Sequence, residues 1–102
     1  MKILISAAAL ALSLSTAAFA ADHQVRIERG AFVPANLTVA AGDTITFTNL
    51  GPAPHTATAV NGSFDTGRLN KGQSARITVT GSGAIAYFCE IHPRMKGSVT
   101  AQ

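Results

Sequence analysis

Cys89, His92 and Met95 stand three residues apart in Tyr87-Phe88-Cys89-Glu90-Ile91-His92-Pro93-Arg94-Met95-Lys96-Gly97. A thiolate, an imidazole and a thioether at that interval can all turn inward from one tight loop. A loop so short lacks a second strong nitrogen donor. His55, which follows Pro52-Ala53-Pro54, can supply it from a separate strand end. The set is then two imidazoles, one thiolate and one thioether. It favours copper, because a trigonal His₂Cys plane with a weak axial Met describes blue-copper electron-transfer sites. Zinc shares the first three donors but rarely recruits methionine.

Each residue has an ordinary reading when taken alone. A buried cysteine often behaves as a small hydrophobe, and a methionine as a filler of core gaps. A single histidine is usually a surface or hydrogen-bonded imidazole. The conjunction Cys-x-x-His-x-x-Met with an upstream Pro-His shifts the balance to a metal centre. An enzyme using Cys89 as nucleophile and His92 as base is a rival, but it leaves Met95 without a role. A copper carrier that hands its metal to another protein is the nearer alternative to an electron carrier.

The chain that carries these residues begins with a leader. Lys2 precedes an apolar run from Ile3 to Leu14, and Ala18-Phe19-Ala20 fits the small-x-small cleavage rule. The run falls short of the roughly 20 apolar residues of a membrane span. Residues 1–20 are therefore expected to be a cleaved signal peptide and residues 21–102 the domain, exported to the periplasm. Without Lys2 the formal charge falls from +3 to +2. So weak a balance, with no block of like charge, points to neither nucleic acid nor a polybasic membrane patch. Small exported domains usually use cysteines in pairs, and Cys89 has no partner. An unpaired thiol in an oxidising compartment calls for burial, ligation or catalysis.

The elements that must position the site are strands. Val25 and Ile27 alternate with Arg26 and Glu28, and the same period of two runs through Thr44-Ile45-Thr46-Phe47-Thr48 and Arg76-Ile77-Thr78-Val79-Thr80. Turn residues punctuate them: Arg29-Gly30, Ala41-Gly42-Asp43, Asn49-Leu50-Gly51-Pro52, Asn61-Gly62, Asn70-Lys71-Gly72 and Gly81-Ser82-Gly83. Short strands at this spacing predict an all-β sandwich. The predicted core is Val25, Ile27, Phe32, Leu37, Val39, Ile45, Phe47, Val60, Phe64, Leu69, Ile77, Val79, Ile85, Tyr87 and Val99.

From Val25 to Val99 the chain resembles the cupredoxins, and among them the amicyanin-like members with short ligand loops. The resemblance rests on Phe32-Val33-Pro34, Leu37-Thr38-Val39, Gly42-Asp43-Thr44-Ile45-Thr46-Phe47-Thr48-Asn49, Phe64-Asp65-Thr66-Gly67 and Gly72-Gln73-Ser74. It rests also on the two-residue gaps from Cys89 to His92 and from His92 to Met95. It implies a Greek-key β-sandwich holding one type 1 copper on His55, Cys89, His92 and Met95. The implied activity is single-electron shuttling by a monomer between redox protein partners. It further implies that the Thr56 amide donates to the Cys89 sulfur, that Asn49 ties the two ligand-bearing loops together, and that His92 is the electron port. The chain departs from its relatives at Ile91 and Arg94, where they tend to carry Pro and Phe. Glu90 and Arg94 therefore make the rim around His92 more charged. One motif lies outside this scheme. Cleavage after Ala20 would leave Ala21-Asp22-His23, whose amine, two amides and imidazole can wrap Cu(II) in a square plane. A third-position histidine in a short tail is more often incidental.

Overall fold

The computed structural model describes residues 19–102. Apart from Phe19 and Ala20, the expected leader lies outside the described residues.

Eight strands form two four-stranded sheets: β1 Asp22–Glu28, β2 Ala31–Val33, β3 Asn36–Val39, β4 Thr44–Asn49, β5 Thr58–Ala59, β6 Ser74–Thr78, β7 Gly83–Phe88 and β8 Lys96–Ala101. One sheet has the order β2-β1-β4-β6 and the other β3-β8-β7-β5. The fold is all-β, and no helix occurs among the described residues. Only β1–β2 and β7–β8 join chain neighbours as antiparallel pairs. Every other connection crosses from one sheet to the other, and it is this crossing that makes β1 parallel to β4 and β3 parallel to β8. The β1–β2 hairpin turns on Arg29 (φ 54°) and Gly30 (φ 72°). Two successive positive φ values are what a two-residue type I′ turn demands.

Side chains alternate across the pleat. Val25 and Ile27 of β1, Ile45 and Phe47 of β4, and Ile85 and Tyr87 of β7 all point into the space between the sheets. Phe32, Phe47 and Phe64 surround Tyr87 there, with ring centroids 4.7, 5.5 and 5.8 Å from it. Edge-to-face pairs of this kind add about 0.5–1.5 kcal/mol each beyond the area they bury. Burial also pushes the Tyr87 phenol well above its usual range.

The predicted core is corrected at one position. Val60 is 68% exposed. It follows inward-facing Ala59 in the pleat and so turns outward, while its amide donates to Ala86 O at 2.8 Å. Leu37 and Ile77 are only half-buried, packed against the core. Ala57, Ala59, Met95 and Ala101 belong to it as well.

Gly97 pairs across the sheet with Tyr87. A Cβ placed there would overlap Cζ and Oη of that ring. The ring is wedged among three aromatics and has nowhere to retreat. Gly97→Ala is therefore expected to destabilise the domain by about 1–3 kcal/mol through overpacking. Thermal or urea unfolding of the metal-free protein checks this, and an unchanged midpoint would show that the aromatic cluster has slack.

Candidate metal centre

The alternation that places Ile85 and Tyr87 inward continues one residue beyond β7 and its outward neighbour Phe88. Cys89 is the next inward position and is fully buried. The chain then reverses. The Met95 amide donates to His92 O at 2.9 Å, and the Cys89 amide donates to Met95 O at 3.1 Å. These two bonds close the loop before β8 begins at Lys96. Met95 ends buried and His92 exposed on this one loop.

His55 arrives from the β4–β5 connection. Its amide donates to Leu69 O at 3.0 Å and its carbonyl accepts from Leu69 N at 2.8 Å, an antiparallel bridge that fixes the backbone. Asn49 holds the approach to it. Its Nδ2 donates to Ala53 O and to Leu69 O, both at 2.8 Å, and its Oδ1 accepts from Gly51 N at 2.8 Å. Asn49 is fully buried at an inward position of β4, and these bonds satisfy its amide. Gly51 has φ 85° and lies against the Lys71 stem, where a Cβ would overlap Lys71 Cγ. A side chain there is excluded twice over.

These two segments bring three donor atoms together. His55 Nδ1 lies 3.7 Å from Cys89 Sγ, His92 Nδ1 lies 3.9 Å from the same sulfur, and the two nitrogens are 3.1 Å apart. A point equidistant from all three is about 2.1 Å from each, within the span of metal–imidazole bonds and slightly inside metal–thiolate ones. The donors thus fit a first-row ion in a His₂Cys plane. His55 is buried, and desolvation, followed by the charge of His92, pulls its pKa below the usual imidazole value. A ring that resists protonation keeps its lone pair for a metal. His92 turns Nδ1 inward, so its exposure falls on the opposite edge of the ring.

The sulfur accepts two backbone N–H groups, from Thr56 at 3.3 Å and from His92 at 3.4 Å. The first was anticipated from the resemblance; the second arises from the loop's own curl. The part expected of Asn49 needs correcting. Its hydrogen bonds brace the His55 approach alone, and the tie between the two loops is made by Thr56. Besides its amide on Cys89 Sγ, its Oγ1 accepts from Glu90 N at 2.9 Å; the Thr58 hydroxyl gives its proton to Asp65 Oδ1 at 3.1 Å, so Thr56 Oγ1 is the donor to Thr58 Oγ1 at 2.9 Å. A threonine directly after a candidate histidine ligand was the available signal, and its hydroxyl was not read.

Two facing sheets with a His₂Cys cluster at one end, beside a buried methionine, define a type 1 copper domain. The Cupredoxin-like domain family matches residues 2–101, and the chain belongs to that family. Its cofactor is type 1 copper, and its relatives include amicyanins. It is 30% identical to amicyanin of Paracoccus versutus over 83 residues, covering 76% of this chain and 63% of that one. It is 29% identical to amicyanin-alpha of Methylorubrum extorquens over the whole of both chains. A reduced amicyanin variant superposes with a TM-score of 0.73 at 29% identity, covering 79% of this chain and 82% of that one.

Thr56→Val keeps the amide on sulfur but leaves the Glu90 N–H without its acceptor. It is expected to lower the stability of the metal-free protein by about 1 kcal/mol, measured by thermal melting. Thr56→Ser should recover most of the loss, and a Val variant as stable as the wild type would remove Thr56 from its role as the tie.

Proposed function

We propose that this chain is an exported, monomeric blue-copper electron carrier whose ligands are His55, Cys89, His92 and Met95. The observation that carries the reading is the convergence of two imidazole Nδ1 atoms on one buried thiol sulfur. Bound copper supplies a one-electron Cu(I)/Cu(II) couple at this point. The protein's own residues do the rest. Rigid strand ends on both sides of the site limit rearrangement when the charge changes. The Thr56 and His92 amides withdraw electron density from the Cys89 sulfur and so tune the potential. Met95 would add a weak, soft thioether donor to bound copper. Four side chains holding the ion would leave no position for a substrate, which favours transfer over catalysis. His92 is the port, being the one candidate ligand with an exposed edge. The leader supports a periplasmic location.

Arg94 and Lys96 flank the port and are exposed, and Lys71 lies against Gly51 on the His55 approach. This basic rim suits redox partners with an acidic face, since charge steering raises encounter rates. At Arg94 that charge replaces the apolar surface a Phe would give, while Ile91 keeps its own position apolar.

Adding Cu(II) should produce an intense blue thiolate-to-copper band, and Cys89→Ser should abolish it. A serine variant that stays blue would refute the assignment of sulfur as ligand. Met95→Gln should retain copper but lower the reduction potential, because a harder oxygen donor favours Cu(II); a raised potential on voltammetry would remove Met95 from the axial position. Copper kept through many redox cycles separates a carrier of electrons from a carrier of metal. Electron-transfer rates with an acidic partner should fall as ionic strength rises from about 0.01 to 0.5 M, and a flat profile would dismiss the steering.

A further inference from the structure

The copper site makes no use of the place where the chain enters the sheet. Phe19 and Ala20 are exposed and belong to no strand. At Ala21 the chain is captured. Ala21 N donates to Asp43 Oδ1 at 3.0 Å, and Ala21 O accepts from Thr44 N at 2.9 Å. Asp43 stands in the turn between β3 and β4 and is only 7% exposed. Its Oδ2 lies 2.9 Å from His23 Nε2 and accepts from Ala40 N at 3.0 Å. The hydrogen bond from His23, then those from Ala21 and Ala40, hold its carboxyl down at about 2. No Lys or Arg pairs with Asp43 among the described residues; the nearby Arg76 pairs with Asp22 instead, at 3.5 Å. A largely buried carboxylate is thus ringed by two backbone amides and the His23 imidazole, and no Lys or Arg gives it a permanent cation.

We propose that the Ala20–Ala21 bond is the processing site and that the α-ammonium it releases docks on Asp43. In this step an export endopeptidase adds water across the peptide bond. Ala20 leaves with the leader as a carboxylate, and the Ala21 nitrogen takes up protons to become the ammonium. The nitrogen need not move, for as an amide it already donates to the carboxylate at 3.0 Å. Cleavage two residues earlier would leave an amide at that point, and cleavage one residue later would remove both the donor and the Ala21 carbonyl. The ion pair pins the start of β1, which is hydrogen-bonded to β2 on one side and β4 on the other. It also engages the amine and the imidazole that a square-planar Cu(II) chelate would need. That chelate would further require Asp22 and His23 to leave their register with Thr44 and Ile45.

The inference rests on the export reading and is independent of the copper reading. Intact mass of the exported protein should correspond to a chain starting at Ala21; any other first residue overturns the processing site. The seat is tested separately on residues 21–102, which contain both sheets and the whole core. The chain beginning at Ala21 is compared with one carrying an extra Gly before it, each with Asp43 and with Asp43→Asn. The added Gly keeps the Ala21 N–H and moves only the charge. It should lower the melting temperature by about 2–6 °C with Asp43 and by less than about 1 °C with Asn. Equal shifts in the two backgrounds, or none with Asp43, overturn the seat. Should the Asn variant not fold, the Ala21 methyl resonance of the wild type provides the answer. The group that meets the amine is Asp43, which also holds His23 Nε2, while the neighbouring Asp22 is paired with Arg76. Net acidity should raise the amine pKa above its ordinary range of about 7.7–8.0. The stability it adds is then complete below that range and lost as pH rises through the raised value. An amine titrating at or below the ordinary range overturns the seat.

Discussion

The structure depends on keeping one sulfur atom dry without leaving it unsatisfied. Cys89 has no solvent exposure, and an anionic thiolate in such a place is costly unless hydrogen-bonded or bound to metal. Two backbone amides and two imidazole nitrogens reach it. The amides come from different segments, one beside His55 and the other within the Cys89 loop. Both segments must therefore be held in register before the sulfur has a stable environment, and much of the surrounding hydrogen bonding does that work.

On the His55 side the bracing is polar and buried. Asn49 occupies a core position of β4 that the pleat would ordinarily give to an apolar residue, and it converts that position into an anchor for Ala53, Leu69 and Gly51. On the Cys89 side the loop is closed by its own backbone, from His92 to Met95 and from Met95 to Cys89. Thr56 couples the two halves. Beneath them the cluster of Phe32, Phe47, Phe64 and Tyr87 fills the space between sheets, and Tyr87 lies two residues before Cys89 on the same face of the strand. That ring packs against Gly97, the residue paired with it on β8, so the strand leading to Cys89 is fixed from the core side.

The two histidines divide the work by burial. His55 is enclosed, so desolvation favours its neutral ring. His92 stands at the surface on a loop with charged neighbours. On the proposed function, one ring is a fixed ligand and the other both ligand and contact surface, which a centre with both rings buried could not provide.

The all-β class, the inward faces of β1, β4 and β7, and the grouping of His55 with Cys89 and His92 were legible in the sequence, because a period of two and the ligand preferences of copper are local properties. The Cys-x-x-His-x-x-Met spacing is a local pattern, and the loop's own hydrogen bonds from Met95 N to His92 O and from Cys89 N to Met95 O give it its curl. Val60 departs from the expected core because a lone valine in the turn after a two-residue strand does not show which way it faces, and the alanines at 57, 59 and 101 carry no pattern of their own. The tie through Thr56 and the hydrogen bond of Ala21 to Asp43 were decided only by tertiary structure. Thr56 and Glu90 are 34 positions apart, and Ala21 and Asp43 are 22 apart. Hydrogen bonds between such residues depend on which strands pair and in what register, and that is set by the crossings between sheets, which no local pattern encodes.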